Sequence, residues 1–170
     1  MPTYHHGDLR AAVLTAAGKI IEKDGLAGLS VREAARRAGV SHNAPYRHFP
    51  HRQALLAALA AEGFSELGEA LEGRSGREVG EAYVRFALER PQRFRLMFGG
   101  QLGLQGQAKA AYEHVARAIA GIGGEMAYAP AAAWSLVHGL AQLLLEGHLE
   151  NNEAFVRNVL SAVRFVQRSA

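Results

Sequence analysis

The sequence predicts an all-α protein: an N-terminal three-helix head of the helix-turn-helix kind, then a second helical domain, about nine helices in all. Three observations predict it. Apolar residues recur at helical spacing along most of the chain, and no stretch alternates as a half-buried strand would. The stretch LSVREAARRAGVSHNAPYRHFPHRQAL, residues 29–55, reads as a short helix, a glycine turn, a second short helix and the start of a longer one. The polar run GRSG at 73–76 separates two helical patterns.

The first helix runs from Asp8 to Asp24, with Leu9, Val13, Ala16, Ala17 and Ile20 on one face, and Gly25 stops it. Ser30 and Glu33 form an S-x-x-E capping box for a helix at about 31–38, with Leu29 and Ala34 placed as its hydrophobic staple. Gly39 supplies the left-handed residue that ends this helix. Ser41 is the next N-cap, for a second short helix at about 42–49. Pro45 lacks an N–H and disfavours helical angles at Ala44. Either that helix starts at Asn43 or Ala44 with Pro45 in its first turn, or its first turn is distorted.

A long helix at about 51–72 follows, its apolar members including Leu55, Leu56, Leu59, Phe64, Leu67 and Leu71. It links the head, residues 1–53, to the second domain, residues 73–170. That domain reads as helices at about 77–90, 91–98 with Pro91 in the first turn, 105–120, 129–148 and 152–168. Gly18, Gly63, Gly68, Gly80 and Gly139 fall inside helices, each at a cost of roughly 1 kcal/mol against Ala. Close approach of a neighbouring helix is the expected reason for keeping them.

Composition narrows the function classes. The 170 residues hold no Cys, so disulfides and thiolate metal sites are out of reach. No apolar run is long enough to span a bilayer and the N-terminus lacks an apolar signal segment, so a cytoplasmic location is expected. The net charge of +3 is uneven. Residues 1–53 carry eight Lys/Arg against four Asp/Glu, and the remainder eleven against twelve. A basic head on a near-neutral body fits a nucleic-acid footprint at one end.

Catalysis finds no support. Ser135 and His138 are three apart on one helix without a matched acid or oxyanion donor, and there is no phosphate-binding glycine loop. Adjacent His5 and His6 make poor ligand geometry. No enzyme, metal or cofactor is expected.

The amphipathic first helix, then V-R-E-A-A-R-R-A-G-V-S and the Y-x-H-F pair within YRHFPHRQALL, resembles the TetR/AcrR-type transcriptional regulators, strongly over about residues 8–60. AWSLVHGLAQLLLEG at 133–147 and PQRFRLMFG at 91–99 resemble a branch with a Trp/His-Gly segment in its C-terminal domain. The resemblance implies a recognition helix from His42 to Phe49. His42, Asn43, Tyr46 and Arg47 become candidates for base edges and nearby phosphates, Tyr46 and His48 for the phosphate backbone, and Arg52 for a further phosphate. The residue types suit these roles, because Arg pairs bidentately with guanine and Asn with adenine. The helix N-termini at Ser30 and Ser41 offer N–H groups to phosphate oxygens. Tyr4, His5, His6 and Arg10 are placed as a short arm along the backbone or minor groove. Arg36 and Arg37 read as a solvated helix face and Phe49 as core. Many members have Gly at Asn43 and an aliphatic residue at Pro45, which leaves open whether His42 or Asn43 reads bases.

For the second domain the resemblance implies ligand binding and dimerisation. Ligand pockets are mostly apolar with a few placed polar groups, and Phe94, Phe98, Trp134 and His138 are the chosen lining residues. Helices at about 129–148 and 152–168 carry apolar stripes, Leu136, Leu140, Leu143 and Leu144 on one and Phe155, Val156, Val159, Leu160, Val163 and Val166 on the other. These would pair with their mates in a homodimer. The expectation is a dimeric repressor on a palindromic double-stranded DNA operator, released by an unknown small-molecule effector. The alternatives are a regulator with no ligand pocket that answers to a protein partner or to nothing, and a helical carrier or enzyme.

Overall fold

The computed structural model describes residues 9–100 and 129–163. Among them the α-helices are α1 Leu9–Asp24, α2 Val31–Arg37, α3 Arg52–Leu71, α4 Arg77–Glu89, α5 Pro91–Phe98, α6 Ala129–Leu145 and α7 Glu153–Ala162, with no strand. Two 3-10 turns, Leu26–Gly28 and Ala44–Arg47, complete the described elements. The expected count of nine α-helices is therefore seven among the described residues. The segment 42–49 holds a 3-10 turn in place of a helix, and the helix expected at 105–120 lies outside the described residues. So do Tyr4, His5, His6 and the C-terminal part of the last expected helix.

The chain clusters into two compact units, Met1–Gly63 with Gln92–Leu104, and Phe64–Pro91 with Gln105–Ala170, and the division falls inside α3. The GRSG run at 73–76 joins α3 to α4 within the second unit.

In the first unit α1 buries Val13, Leu14, Ala17, Ile20 and Ile21, and packs on α2 and on both 3-10 turns. Gly25, at φ +72°, reverses the chain after α1, and its N–H still reaches Ile21 O at 2.9 Å. The N-terminal half of α3 contributes Leu55, Leu56, Leu59 and Ala60 to this core. Removing such a side chain from water stabilises by roughly 1.5–3 kcal/mol. The start of α5 is fixed by a residue 70 positions earlier. Glu22 of α1 accepts from the N–H groups of Gln92 (3.1 Å) and Arg93 (2.8 Å), which otherwise have no intrahelical partner.

Two helical glycines in this unit have the expected steric reason. A Cβ on Gly18 would run into the guanidinium of Arg93, and one on Gly63 would sit 2.7 Å from Met97 Sδ. Arg93, only 8% exposed, lies in this crossing with Nη1 3.6 Å from Glu62 Oε2.

In the second unit α4 packs on α6 and α7. Gly80 lets the crossing close, since a Cβ there would meet Leu160 Cδ1 at 3.1 Å and Val137 Cγ1 at 3.3 Å, whereas Gly139 faces open space. The buried stripe of α6 is Ala133, Val137, Leu140, Ala141 and Leu144. This splits the stripe read from sequence: Leu140 and Leu144 turn inward, while Leu143 is 43% exposed. On α7 only Val156 is buried. Phe155, Val159 and Leu160 are half-exposed, and Val163 just beyond the helix is 42% exposed.

Candidate functional site

The first candidate surface is built on the turn between α2 and α3. Ser30 caps α2 as expected, its Oγ accepting from Glu33 N at 3.0 Å in extended backbone. The reciprocal half of the capping box is absent from the described bonds, because the Glu33 carboxylate is taken by two guanidinium groups. Arg36 donates to it from Nε and Nη2 at 2.9 and 2.7 Å, and Arg37 from Nε at 2.7 Å. The hydrogen bonds from Arg36, then Arg37, hold the Glu33 carboxyl at about 2. Arg37 also reaches Asp24 Oδ2 at 2.6 Å. Arg36 thus serves its own helix, while Arg37 also links α2 to the end of α1.

α2 ends in a Schellman motif. Gly39 adopts φ +70°, Val40 N bonds Ala35 O at 3.1 Å, and Gly39 N bonds Arg36 O at 3.2 Å. Beyond it the chain departs from the expected helix. Ser41 is not the cap of a helix at 42; its carbonyl accepts from Ala44 N, and the helical turn begins at Ala44 behind Asn43. Proline explains the change. With no N–H at Pro45, the bonds at the ends of the turn include Tyr46 N to Asn43 O (3.3 Å), His48 N to Pro45 O (2.9 Å) and Phe49 N to Pro45 O (2.8 Å), mostly of the 3-10 type.

This short turn is anchored from below and open above. Pro45 and Phe49 are buried, and the Arg10 guanidinium lies 5.9 Å from the centre of the Phe49 ring. His42, Asn43, Arg47 and His48 are exposed, as is Tyr46 at 40%. The structure therefore brings five of the eight predicted DNA-binding residues together on one solvent-facing turn, with Ser30 and Ser41 also exposed. Such a surface can offer hydrogen-bond donors, aromatic area and positive charge to a duplex.

Arg52 is expected on a phosphate; it is exposed, yet two of its donors are taken by backbone carbonyls, Nε by Leu29 O at 2.8 Å and Nη2 by Leu26 O at 2.5 Å. Its neighbour His51, not foreseen from the sequence, caps α3 by accepting Ala54 N on Nδ1 at 3.1 Å. The signal for it was positional: the residue before Arg52 opens the helix, and an imidazole nitrogen accepts there as an Asn or Ser oxygen would.

The second candidate site does not form as one group. Phe94 and Phe98 meet in the first unit with ring centres 4.8 Å apart and planes tilted by 54°, whereas Trp134 and His138 belong to the second. Trp134 and His138, one turn apart on α6, both meet Tyr83 of α4. Trp134 Nε1 donates to the Tyr83 hydroxyl at 3.2 Å, and that hydroxyl lies 2.9 Å from His138 Nδ1. Burial raises the Tyr83 phenol well above its ordinary value, and desolvation lowers the His138 imidazole. Both groups are neutral near pH 7. The Tyr83 hydroxyl thus accepts from the Trp134 N–H and shares a hydrogen bond with His138 Nδ1. Tyr83 is not among the lining residues chosen from the sequence because its spacing on α4 reads as ordinary core. The pairing of Trp and His at i, i+4 was the available hint that a polar partner faces them. A separate cleft of about 270 Å³ opens between α4 and α7, lined by Val84, Leu88 and Val156 with Glu81, Arg85 and Arg157.

Among the described residues no helix is long and apolar enough to cross a membrane. The family model for bacterial regulatory proteins of the tetR family matches residues 13–59, and the model for the tetracyclin repressor-like C-terminal domain matches residues 77–163. A solved protein of unknown function from Rhodococcus sp. RHA1 is 36% identical over 95% of this chain and 94% of its own, with a TM-score of 0.75. The multidrug binding protein EbrR, solved in complex with imidazole, shares the fold at 22% identity and a TM-score of 0.65, over 95% of this chain and 96% of its own. A TetR transcriptional regulator from the same Rhodococcus strain matches at 23% identity and a TM-score of 0.61, over 94% of this chain and 96% of its own. No curated protein matches the chain. Helix-turn-helix and C-terminal domain alike, the chain belongs to the TetR family of DNA-binding transcriptional regulators.

Proposed function

We propose that the protein is a dimeric cytoplasmic repressor that occupies a palindromic operator and leaves it when a small molecule binds its second domain. It acts by occupancy and performs no catalysis. The observation that carries the reading is the turn at 42–48, where His42, Asn43, Tyr46, Arg47 and His48 are exposed together over a buried Pro45 and Phe49. One such head offers few contacts, and a dimer sets two of them on half-sites about 34–36 Å apart. The half-exposed apolar residues of α6 and α7, with Leu143 and Val163, supply the material for self-association.

Release follows from a population shift, the effector favouring the conformation whose heads are wrongly spaced for the operator. The Tyr83–Trp134–His138 group is the polar feature around which an effector site is best built, and a multidrug-binding relative of the same fold is consistent with that. The test is fluorescence anisotropy on a palindromic duplex from the protein's own promoter across a salt series. Counterion release predicts a steep linear fall of log K with log salt. A flat response, or no preference over a scrambled duplex, overturns the proposal.

A second reading keeps the DNA-binding role without an effector. It is favoured by the bonds that already join Tyr83 to Trp134 and His138. A compound screen read by loss of operator binding separates the two, together with Trp134→Ala and His138→Ala. In the effector reading both variants bind operator normally and answer the compound differently.

A further inference from the structure

The two carbonyls held by Arg52 lie ahead of α2, 23 and 26 residues back in the chain. The bonds therefore close a ring around the whole helix-turn-helix: the Ser30 cap, α2, the Gly39 turn and every exposed residue from His42 to His48. Leu29 immediately precedes the cap of α2, and Arg52 is the first residue of α3. One guanidinium thus ties the two ends of the reading segment together. Leu26 O also accepts from Leu29 N at 3.2 Å, so its second lone pair goes to Arg52. The edge formed by Nε and Nη2 spans two acceptors in a fixed planar fork, a geometry that a lysine ammonium on its flexible stem does not reproduce. The His51 cap, accepting Ala54 N, fixes the first turn of α3 from which Arg52 projects.

Resting on the DNA-binding reading above, we propose that Arg52 is a positioning residue, a brace that orders the 42–48 turn before DNA arrives. A phosphate contact adds charge wherever the duplex lies. A brace instead lowers the ordering cost of the one geometry that reads bases. The two roles part company in Arg52→Lys, which keeps the charge and loses the fork.

The experiment measures full-length wild type, Arg52→Lys and Arg52→Ala by anisotropy, on a duplex selected from a random-sequence pool and on a scrambled duplex of equal length. Circular dichroism sets a temperature at which every variant is folded. The brace predicts that Arg52→Lys binds the selected duplex about tenfold more weakly, as expected for losing one charge-assisted hydrogen bond, with unchanged scrambled-duplex affinity and salt slope. The brace is overturned if Arg52→Lys stays within about twofold of wild type on both duplexes while Arg52→Ala weakens both equally and lowers the salt slope by about one. A wild-type chain that selects no duplex overturns the DNA-binding reading itself, and this role with it.

Discussion

The Tyr83 hydroxyl stands between two residues of α6, receiving the Trp134 Nε1 proton at 3.2 Å and lying 2.9 Å from His138 Nδ1. Sequence separations of 51 and 55 residues are closed by one oxygen. This bond path ties α4 to α6. Tyr83→Phe removes the oxygen and with it both bonds. An intramolecular hydrogen bond contributes about 0.5–1.5 kcal/mol net, so the urea midpoint should fall with the slope unchanged. Trp134 is the only tryptophan, so its emission reports the site directly. A midpoint within about 0.3 kcal/mol of wild type would mean the hydroxyl is replaced by water at no cost.

His138 should make the stability pH-dependent. Desolvation lowers its pKa, so the folded chain refuses a proton that the unfolded chain accepts. Stability is then complete above the ordinary imidazole value of about 6.5 and declines as pH falls below it. Unfolding midpoints followed by Trp134 emission between about pH 7.5 and 5.5 should slope downward toward acid. In His138→Gln the slope in that window should shrink, whatever the variant's absolute stability.

A second, lower window belongs to Glu33. Its carboxyl is held at about 2, well below the ordinary 4.5, chiefly by the hydrogen bonds from Arg36 and then Arg37. Because the folded value is depressed, its contribution is present above about 4.5 and is lost as pH falls toward 2. Glu33→Gln should flatten this part of the profile while leaving the His138 window intact. An unchanged acid limb in Glu33→Gln would show the three-residue cluster to be loose in solution, as exposed ion pairs often are.

The left-handed Gly39 offers a mechanical check. Its φ of +70° and two backbone bonds end α2 and aim the chain at the exposed turn. Gly39→Ala forces a Cβ into that region at roughly 1–2 kcal/mol. No neighbour lies within 4 Å of the added atom, so the penalty is backbone strain alone. Chemical denaturation should show a loss of that size, and operator affinity should fall with it.

Most of the head was legible because its signals are local. Ser30, Gly25 and Gly39 act through neighbouring backbone groups, and the periodicity of α1 and α3 reports burial directly. What was hidden is either a competition or a long-range closure. Pro45 turned an expected helix into a 3-10 turn, and the two outcomes differ by a few backbone bonds that spacing cannot weigh. Glu33 had the spacing of a capping box, but two arginines on its own helix compete more strongly for its carboxylate than a backbone N–H does. Glu22 capping α5, Arg52 on Leu26 and Leu29, and Tyr83 on Trp134 join residues 23 to 71 apart. No periodicity encodes such pairings. The chosen pocket residues divided between units for the same reason: aromatic spacing marks burial but not which core the ring enters.

The open question on the reading turn, His42 or Asn43, has a direct test. Asn43 sits at the cap position with φ −90° and ψ −25°, its carbonyl bonded by Tyr46 N and its side chain making no cap bond. The amide is therefore available for a bidentate contact with adenine, whereas His42 lies before the first residue of the 3-10 turn. A base reader and a backbone reader fail differently. Asn43→Ala should cost about 1–3 kcal/mol on the preferred duplex and relax the choice of base at one position of each half-site. His48→Ala should weaken all duplexes alike and leave the preferred sequence unchanged, as a phosphate contact does. Selection from a random pool, repeated with each variant, reads both effects at once. If His42→Ala relaxes a position and Asn43→Ala does not, the reading residue is the histidine, and the turn meets the groove one residue earlier than its backbone bonds suggest.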